Sequence, residues 1–277
     1  MGFNSHSGVN MRKFLSKTVF AVILSLLVFA PFAHAEESFL LFDAKADIVI
    51  AITGNEETFS KRISPFSTFK IVLSLIGYDS GILKDENTPE WSYEGQDASI
   101  TNRTSSPRLW MDLSLIWYSQ ILTQKIGLES MKHYLSLFDY GNQNMSGDPG
   151  KHNGLTQAWL NSSLKISIYE QSWFLKQLVL EELPVSKHAI KMTKKLLYNE
   201  TLKDGWKLYG KTGSGYERQK KGGIGPDKWI AWYIGWIEKD SQAYVFALNL
   251  RNIDFLPSKS YRQEIVKQYL LENGIIE

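Results

Sequence analysis

Four short motifs in this chain carry side chains able to do acyl-transfer chemistry. Ser67-Thr68-Phe69-Lys70 sets a hydroxyl and an amine three residues apart. On a helix those positions share one face. A serine is a poor nucleophile until a base removes its proton, and lysine is a base only when its amine is uncharged. Phe69, Ile71, Val72, Leu73, Leu75 and Ile76 surround Lys70 in sequence; burial among such residues disfavours the ammonium and lowers the pKa from its usual value of about 10.4. The helix start also brings backbone N–H groups to Ser67, where they could hold an oxyanion. Lys211-Thr212-Gly213 follows the strand-like Leu208-Tyr209-Gly210. It offers a cation and a hydroxyl to a carboxylate, and a glycine that lets a ligand approach the backbone. Ser114-Leu115-Ile116 at a helix start and Tyr140-Gly141-Asn142 in a loop complete the set. S-x-x-K alone is common by chance, and K-T-G alone reads as a turn. The order and spacing of all four carry the signal.

The elements that must position these motifs read as follows. Phe39 to Ala44 and Ala46 to Thr53 are two short strands. Ser67 to Tyr78 is a helix apolar nearly all round, hence a buried one. Residues 84 to 109 are polar and turn-rich. Leu113 to Ile126 and Leu128 to Leu137 are amphipathic helices. Residues 139 to 154 form a long Gly/Asn/Asp loop, of a length often reserved for function. Tyr169 to Leu183 is a helix stopped by Pro184, and Ser186 to Tyr198 another. Trp206 to Gly210, Trp229 to Glu238 and Ala243 to Leu250 are strands, the last two joined by Lys239-Asp240-Ser241 as a hairpin. Ser260 to Glu272 is a final helix. The pattern is α+β: an antiparallel sheet built from both termini, helices on its faces and a helical lobe inserted.

Composition narrows the chemistry. The chain has 277 residues, no Cys, and a net charge of +2. Disulfides, thiolate nucleophiles and Cys-based zinc sites are excluded, and no electrostatic footprint for nucleic acid is present. Residues 1–35 read as a secretory signal peptide: Arg12, Lys13 and Lys17, then an apolar run from Val19 to Ala30, then Ala33-His34-Ala35 as the cleavage site. The run is short for a membrane span. The ten residues before Met11 read as an extension, with Met11 a second candidate start. The leader carries three basic and no acidic residues, so the +2 of the whole chain becomes −1 after cleavage. His6 and His34 leave with it, and His133, His152 and His188 remain without H-x-H or H-x-x-x-H spacing. A His-based zinc site and a Ser-His-Asp triad are therefore not expected. Residues 36–277 read as one domain with a mixed α/β lobe and a helical lobe.

The ordered motifs resemble those of class D (oxacillinase-type) serine β-lactamases. Trp159 within Ala158-Trp159-Leu160, Leu164-Lys165-Ile166-Ser167, Gln171-Ser172-Trp173-Phe174-Leu175 with Leu183-Pro184, and Trp232-Tyr233-Ile234-Gly235-Trp236 extend the likeness over residues 38 to 276. The S-D-N triplet of class A enzymes is not here; Ser114-Leu115-Ile116 stands in its place. The resemblance implies a serine β-lactamase/penicillin-binding transpeptidase-like fold and a periplasmic enzyme that hydrolyses penicillins and related β-lactams. By resemblance Ser67 is the nucleophile. Lys70, carboxylated by CO₂ to a carbamate, is the general base in both halves of the reaction. Trp159 hydrogen-bonds that carbamate, Ser114 relays a proton to the β-lactam nitrogen, and Ile116, where the family has Val, keeps the site dry. The backbone N–H groups of Ser67 and Ser214 form the oxyanion hole. Lys211, Thr212 and Arg262 hold the substrate carboxylate, with Arg251 as the rival arginine. Tyr140 is either a loop anchor or a proton carrier. No metal and no cofactor beyond the CO₂-derived carbamate is implied, no nucleic acid, and no membrane after leader cleavage; the assembly is a monomer or homodimer. The alternative is a sensor-type or non-hydrolysing penicillin-binding domain that acylates without turnover. Cell-wall transpeptidases and carboxypeptidases usually carry S-x-N in the middle motif, which this chain does not.

Overall fold

The computed structural model describes residues 36–203, 205–217 and 228–277. The expected leader and most of the loop Gly215 to Asp227 lie outside the described residues. The first strands are β1 (Glu36–Asp43) and β2 (Ile48–Thr53). In the turn between them the Asp43 carboxylate accepts the N–H groups of Lys45 and Ala46 at 2.9 and 2.8 Å. The helix α1 (Glu56–Ser60) is capped by the Asn55 side chain, which accepts from Glu57 N–H at 3.1 Å. A single 3-10 turn (Phe66–Phe69) then runs into α2 (Lys70–Asp79). From Lys70 to Tyr78 every residue of α2 is buried, as its unbroken apolar run predicts.

The inserted lobe follows. It comprises a two-stranded ribbon of β3 (Trp91–Ser92) and β4 (Thr104–Ser105), then α3 (Pro107–Asp112), α4 (Ile116–Ile126), α5 (Leu128–Leu137) and the short α6 (Gly154–Gln157). Gly127 sits at φ +83° between α4 and α5, a conformation that favours glycine. α7 (Ile168–Val179) opens on a capping box, Ser167 with Glu170. It ends at Val179, earlier than the expected Leu183, because Glu181 takes a left-handed φ of +60° and turns the chain. α8 (Lys187–Leu197) packs along α2.

The C-terminal part supplies β5 (Tyr198–Thr201), β6 (Lys207–Glu217), β7 (Lys228–Lys239), β8 (Gln242–Ile253) and α9 (Lys259–Glu272). The sheet order is β2-β1-β8-β7-β6-β5, every pair antiparallel. The sheet is thus closed by both ends of the domain, as the sequence pattern implies. Apolar residues occupy both faces. Leu40, Trp232, Ile234 and Trp236 join α2 and α7 in one core, and Phe39, Leu41, Tyr233 and Leu248 meet Val266 and Leu270 of α9 in the other. A sheet covered on both sides needs near-continuous apolar strands, and β7 is buried from Ile230 to Ile237.

Candidate active site

The 3-10 turn that carries Ser67 packs against β6. Ser67 lies in the 3-10 turn and Lys70 is the first residue of α2. In 3-10 geometry residues i and i+3 eclipse, and Lys70 Nζ stands 3.4 Å from Ser67 Oγ. Ser67 is partly accessible, whereas Lys70 is 1% exposed. Desolvation, and secondarily the charge of Lys211, holds the Lys70 amine well below the usual lysine range. A buried amine with a lowered pKa beside a hydroxyl is the arrangement the motif predicts.

The turn is fixed by close backbone contacts. Phe66, just before Ser67, has φ +51°, a left-handed conformation that a bulky residue holds only when its surroundings impose it. Its N–H donates to Trp159 O at 3.1 Å, and Thr68 N–H to Pro65 O at 3.2 Å. The Thr68 hydroxyl donates to the same Pro65 carbonyl at 2.7 Å and accepts from Gln171 Nε2 at 2.9 Å. On the opposite side β6 presses against the turn. A Cβ on Gly213 would lie 2.7 Å from Pro65 O and 2.9 Å from Thr68 N, and one on Gly215 would lie 2.0 Å from the Phe66 ring. Glycine is therefore required at both positions by the approach of two pieces of chain.

K-T-G lies inside strand β6, paired with Trp232 to Ile234 of β7, and is not the turn its composition suggests by default. Lys211 is 6% exposed; its Nζ donates to Ser114 Oγ and to Thr212 O, both at 3.1 Å. Desolvation, then the charges of Lys259 and Arg262, bring its pKa down to about 7, with Asp112 acting in the opposite direction. Arg262, in the first turns of α9, is also buried, and its guanidinium donates to Trp232 O and Ser214 Oγ at 2.9 Å and to Gly213 O at 3.3 Å. Burial lowers its pKa to about 10. These contacts put two buried cations beside K-T-G whose hydrogen-bond partners here are carbonyls and hydroxyls, a setting that favours an incoming anion. Arg251 instead pairs with Glu36 of β1 at 3.7 Å, so of the two rival arginines it is Arg262 that the fold brings to the K-T-G strand.

Ser114 reaches the site by a different route from the one expected. It belongs to the connection between α3 and α4, with φ +57°, and not to a helix start; α4 begins two residues later. Ile116 is 45% exposed, whereas Phe69, Tyr140 and Trp159 are buried. Trp159 is buried, its ring centroid 5.5 Å from that of Phe69. Tyr140 is buried between Phe69 and Phe174, at centroid distances of 5.7 and 5.2 Å, and burial raises its phenol pKa. Asn142 braces the same loop: its side chain donates to Ser163 O at 2.8 Å and accepts Lys165 N–H at 2.9 Å. Tyr140 and Asn142 thus brace this loop by ring packing and hydrogen bonds. Phe66 and Lys259 were not singled out from the sequence. Phe66 carries no local signal, while Lys259 could have been found as a cation one helical turn from Arg262. Among the described residues no group of three or more His, Asp or Glu is placed to hold a metal ion.

The chain is similar in sequence and fold to known proteins. A family model described as "Penicillin binding protein transpeptidase domain" matches residues 38–271. Beta-lactamase OXA-9 of Klebsiella pneumoniae is 39% identical over 245 residues, spanning 86% of this chain and 88% of that protein. Beta-lactamase OXA-1 of Escherichia coli is 42% identical over 216 residues, 78% and 76% of the two chains. The crystal structure of the class D β-lactamase OXA-427 superposes with a TM-score of 0.75 at 38% identity, covering 86% of this chain and 99% of its own. The C-terminal domain of the Bacillus licheniformis BlaR penicillin-receptor superposes with a TM-score of 0.75 at 27% identity, covering 88% and 92%.

Proposed function

The chain belongs to the class D β-lactamases, and we propose that it opens the β-lactam amide of penicillins and related compounds through an acyl-enzyme on Ser67, with Lys70 in carboxylated form as the general base. The observation that carries this reading is the buried Lys70 amine 3.4 Å from Ser67 Oγ, its pKa held well below the usual lysine range by desolvation. Only a free-base amine adds to CO₂; the product is a carbamate and one proton. The indole of Trp159, buried against Phe69, suits a carbamate partner because it can donate a hydrogen bond but not accept one. Lys70 so modified takes the Ser67 proton as Oγ attacks the carbonyl carbon. The carbonyl oxygen becomes an oxyanion facing the backbone N–H groups of Ser67 and Ser214. When the C–N bond breaks, the proton taken from Ser67 passes by way of Ser114 to the ring nitrogen and leaves the base free again; Ser114 Oγ accepts from Lys211 Nζ at 3.1 Å. Water, deprotonated by the same base, then releases the product from Ser67. Lys211, Thr212 and Arg262 hold the substrate carboxylate.

The relatives named as β-lactamases support turnover over the sensor-type alternative, and the leader read from residues 1–35 supports export to the periplasm. No helix among the described residues is long and apolar enough to cross a membrane. Purified protein should turn over a penicillin many times per active site, and Ser67→Ala should abolish this. Lys70→Ala should leave an acyl-enzyme that persists by mass spectrometry, because the deacylating water has lost its base. Activity should fall as pH drops, since protonation of Lys70 blocks carboxylation, and bicarbonate should restore it. A single stoichiometric burst from the wild type would favour the sensor-type reading. Indifference to bicarbonate at every pH would remove the carbamate.

A further inference from the structure

We infer that Asn161 is a positioning residue that ties the loop carrying Trp159 to strand β6, and so holds the base side of the cleft in register with its oxyanion side. The inference rests on the acyl-enzyme reading above and concerns a residue to which that mechanism gives no role. Asn161 stands two positions after Trp159 and takes a left-handed φ of +62°, which Asn tolerates better than most residues. Its Nδ2 donates to the carbonyl oxygen of Tyr216 at 2.7 Å. Tyr216 lies two positions after Ser214 on β6, and its ring packs on Trp229 of β7 with centroids 3.8 Å apart.

The rest of the loop is braced in another direction. Leu164 N–H donates to Ala158 O at 2.9 Å, and the Ser163 hydroxyl donates to Asn144 O at 2.8 Å and accepts Gly147 N–H at 2.9 Å. Those bonds lead to the Y-G-N loop. Asn161 reaches across to the sheet. Its bond closes a ring of three contacts around the reacting pair: Phe66 N–H on Trp159 O at 3.1 Å, Asn161 on Tyr216 O, and Gly215 pressed on the Phe66 ring. The first contact fixes Trp159 to the nucleophile turn, and the third fixes the turn to β6. The second fixes the Trp159 loop to β6 directly. Without it the indole is held to Ser67 from one side only. Lys70 serves as base in both half-reactions, but the Ser67 hydroxyl is already held 3.4 Å from Lys70 Nζ by contacts that remain, whereas the deacylating water is placed by the base itself, so a shift of Trp159 weighs most on deacylation. A displacement near 1 Å at such a group costs about 10²-fold in rate.

The test compares wild type with Asn161→Gly and Asn161→Asp. Glycine relaxes the backbone and removes the donor. Aspartate keeps the size and sets an acceptor against the Tyr216 carbonyl. Three quantities are measured on a penicillin and on ¹³C-bicarbonate: the acylation rate, the deacylation rate, and the bicarbonate concentration that half-saturates the carbamate signal by ¹³C NMR. Both variants should melt within a few degrees of wild type and acylate within about threefold of it. Deacylation should slow by about 10- to 100-fold, and more bicarbonate should be needed. Unchanged deacylation and unchanged bicarbonate demand in both variants overturn the inference, and so does an equal loss of both half-reactions. If wild type shows neither turnover nor a carbamate signal, the proposed mechanism falls and this inference with it. Wild-type turnover with indifferent variants sinks the inference alone.

Discussion

Two regions of the molecule bury lysines, and they treat them differently. Beside the β1–β2 turn, Lys176 of α7 is 8% exposed, yet its ammonium pairs with Asp47 and lies 4.5 Å from the Trp173 ring centroid and 5.5 Å from that of Phe42. A carboxylate and two ring faces replace the water it lost. In the cleft, Lys70 and Lys211 are buried at least as deeply, but their hydrogen-bond partners are the hydroxyls of Ser67 and Ser114 and the Thr212 carbonyl. Each also feels another cation. Burial with a counter-charge makes a structural pin. Burial without one makes an amine ready to lose its proton, which is what the proposed base Lys70 requires and what the proposed carboxylate partner Lys211 must avoid.

Exchanging a lysine for methionine in each region should separate the two uses most sharply. Lys70→Met should lower kcat/KM by about 10³-fold, while its melting temperature in CO₂-depleted buffer holds or rises, because a desolvated amine has been replaced by an apolar chain of similar length. A large loss of stability there would erase the contrast. Next in size, Gly213→Ala should cost about 10²-fold in kcat/KM, since its new Cβ meets the backbone at Pro65 and Thr68. Retained activity would mean that the turn and β6 can part freely. A smaller effect follows from pH. Lys211, with its pKa near 7, is an ammonium below that value and uncharged above it. KM for a carboxylate-bearing substrate should therefore rise several-fold as pH climbs through 7, measured with bicarbonate saturating. Ser114→Asp would give Lys211 a counter-charge like that of Lys176, and should move this limb to higher pH. The smallest effect belongs to α7. Lys176→Met should lower the melting temperature by about 2–4 °C, a change of about 1 kcal/mol, and leave kcat/KM within about twofold.

Much of this was written in local pattern. The unbroken apolar run after Ser67 predicts a buried helix and with it a neutral Lys70. Two β-rich segments near the start and a hairpin around Asp240 predict a sheet made from both termini, and the structure has it. Strand β5 escaped because Tyr198-Asn199-Glu200-Thr201 lies at the sheet edge, where polar residues are favoured and no apolar alternation marks a strand. The end of α7 was misplaced because Glu181 turns the chain before Pro184 does.

The composition and order of residues settled which groups could react, since hydrogen-bonding type, basicity and helical spacing belong to short stretches of chain. Distances between stretches belong to the packed molecule. Ser114 and Lys211 stand 97 positions apart and meet at 3.1 Å. Gly213 and Gly215 are needed only because β6 lies on the turn of Pro65 and Phe66. The bond from Asn161 to Tyr216 joins residues 55 apart. None of these contacts has a period or a spacing to read. They arise when two buried faces close on one another, and only the tertiary structure fixes how closely.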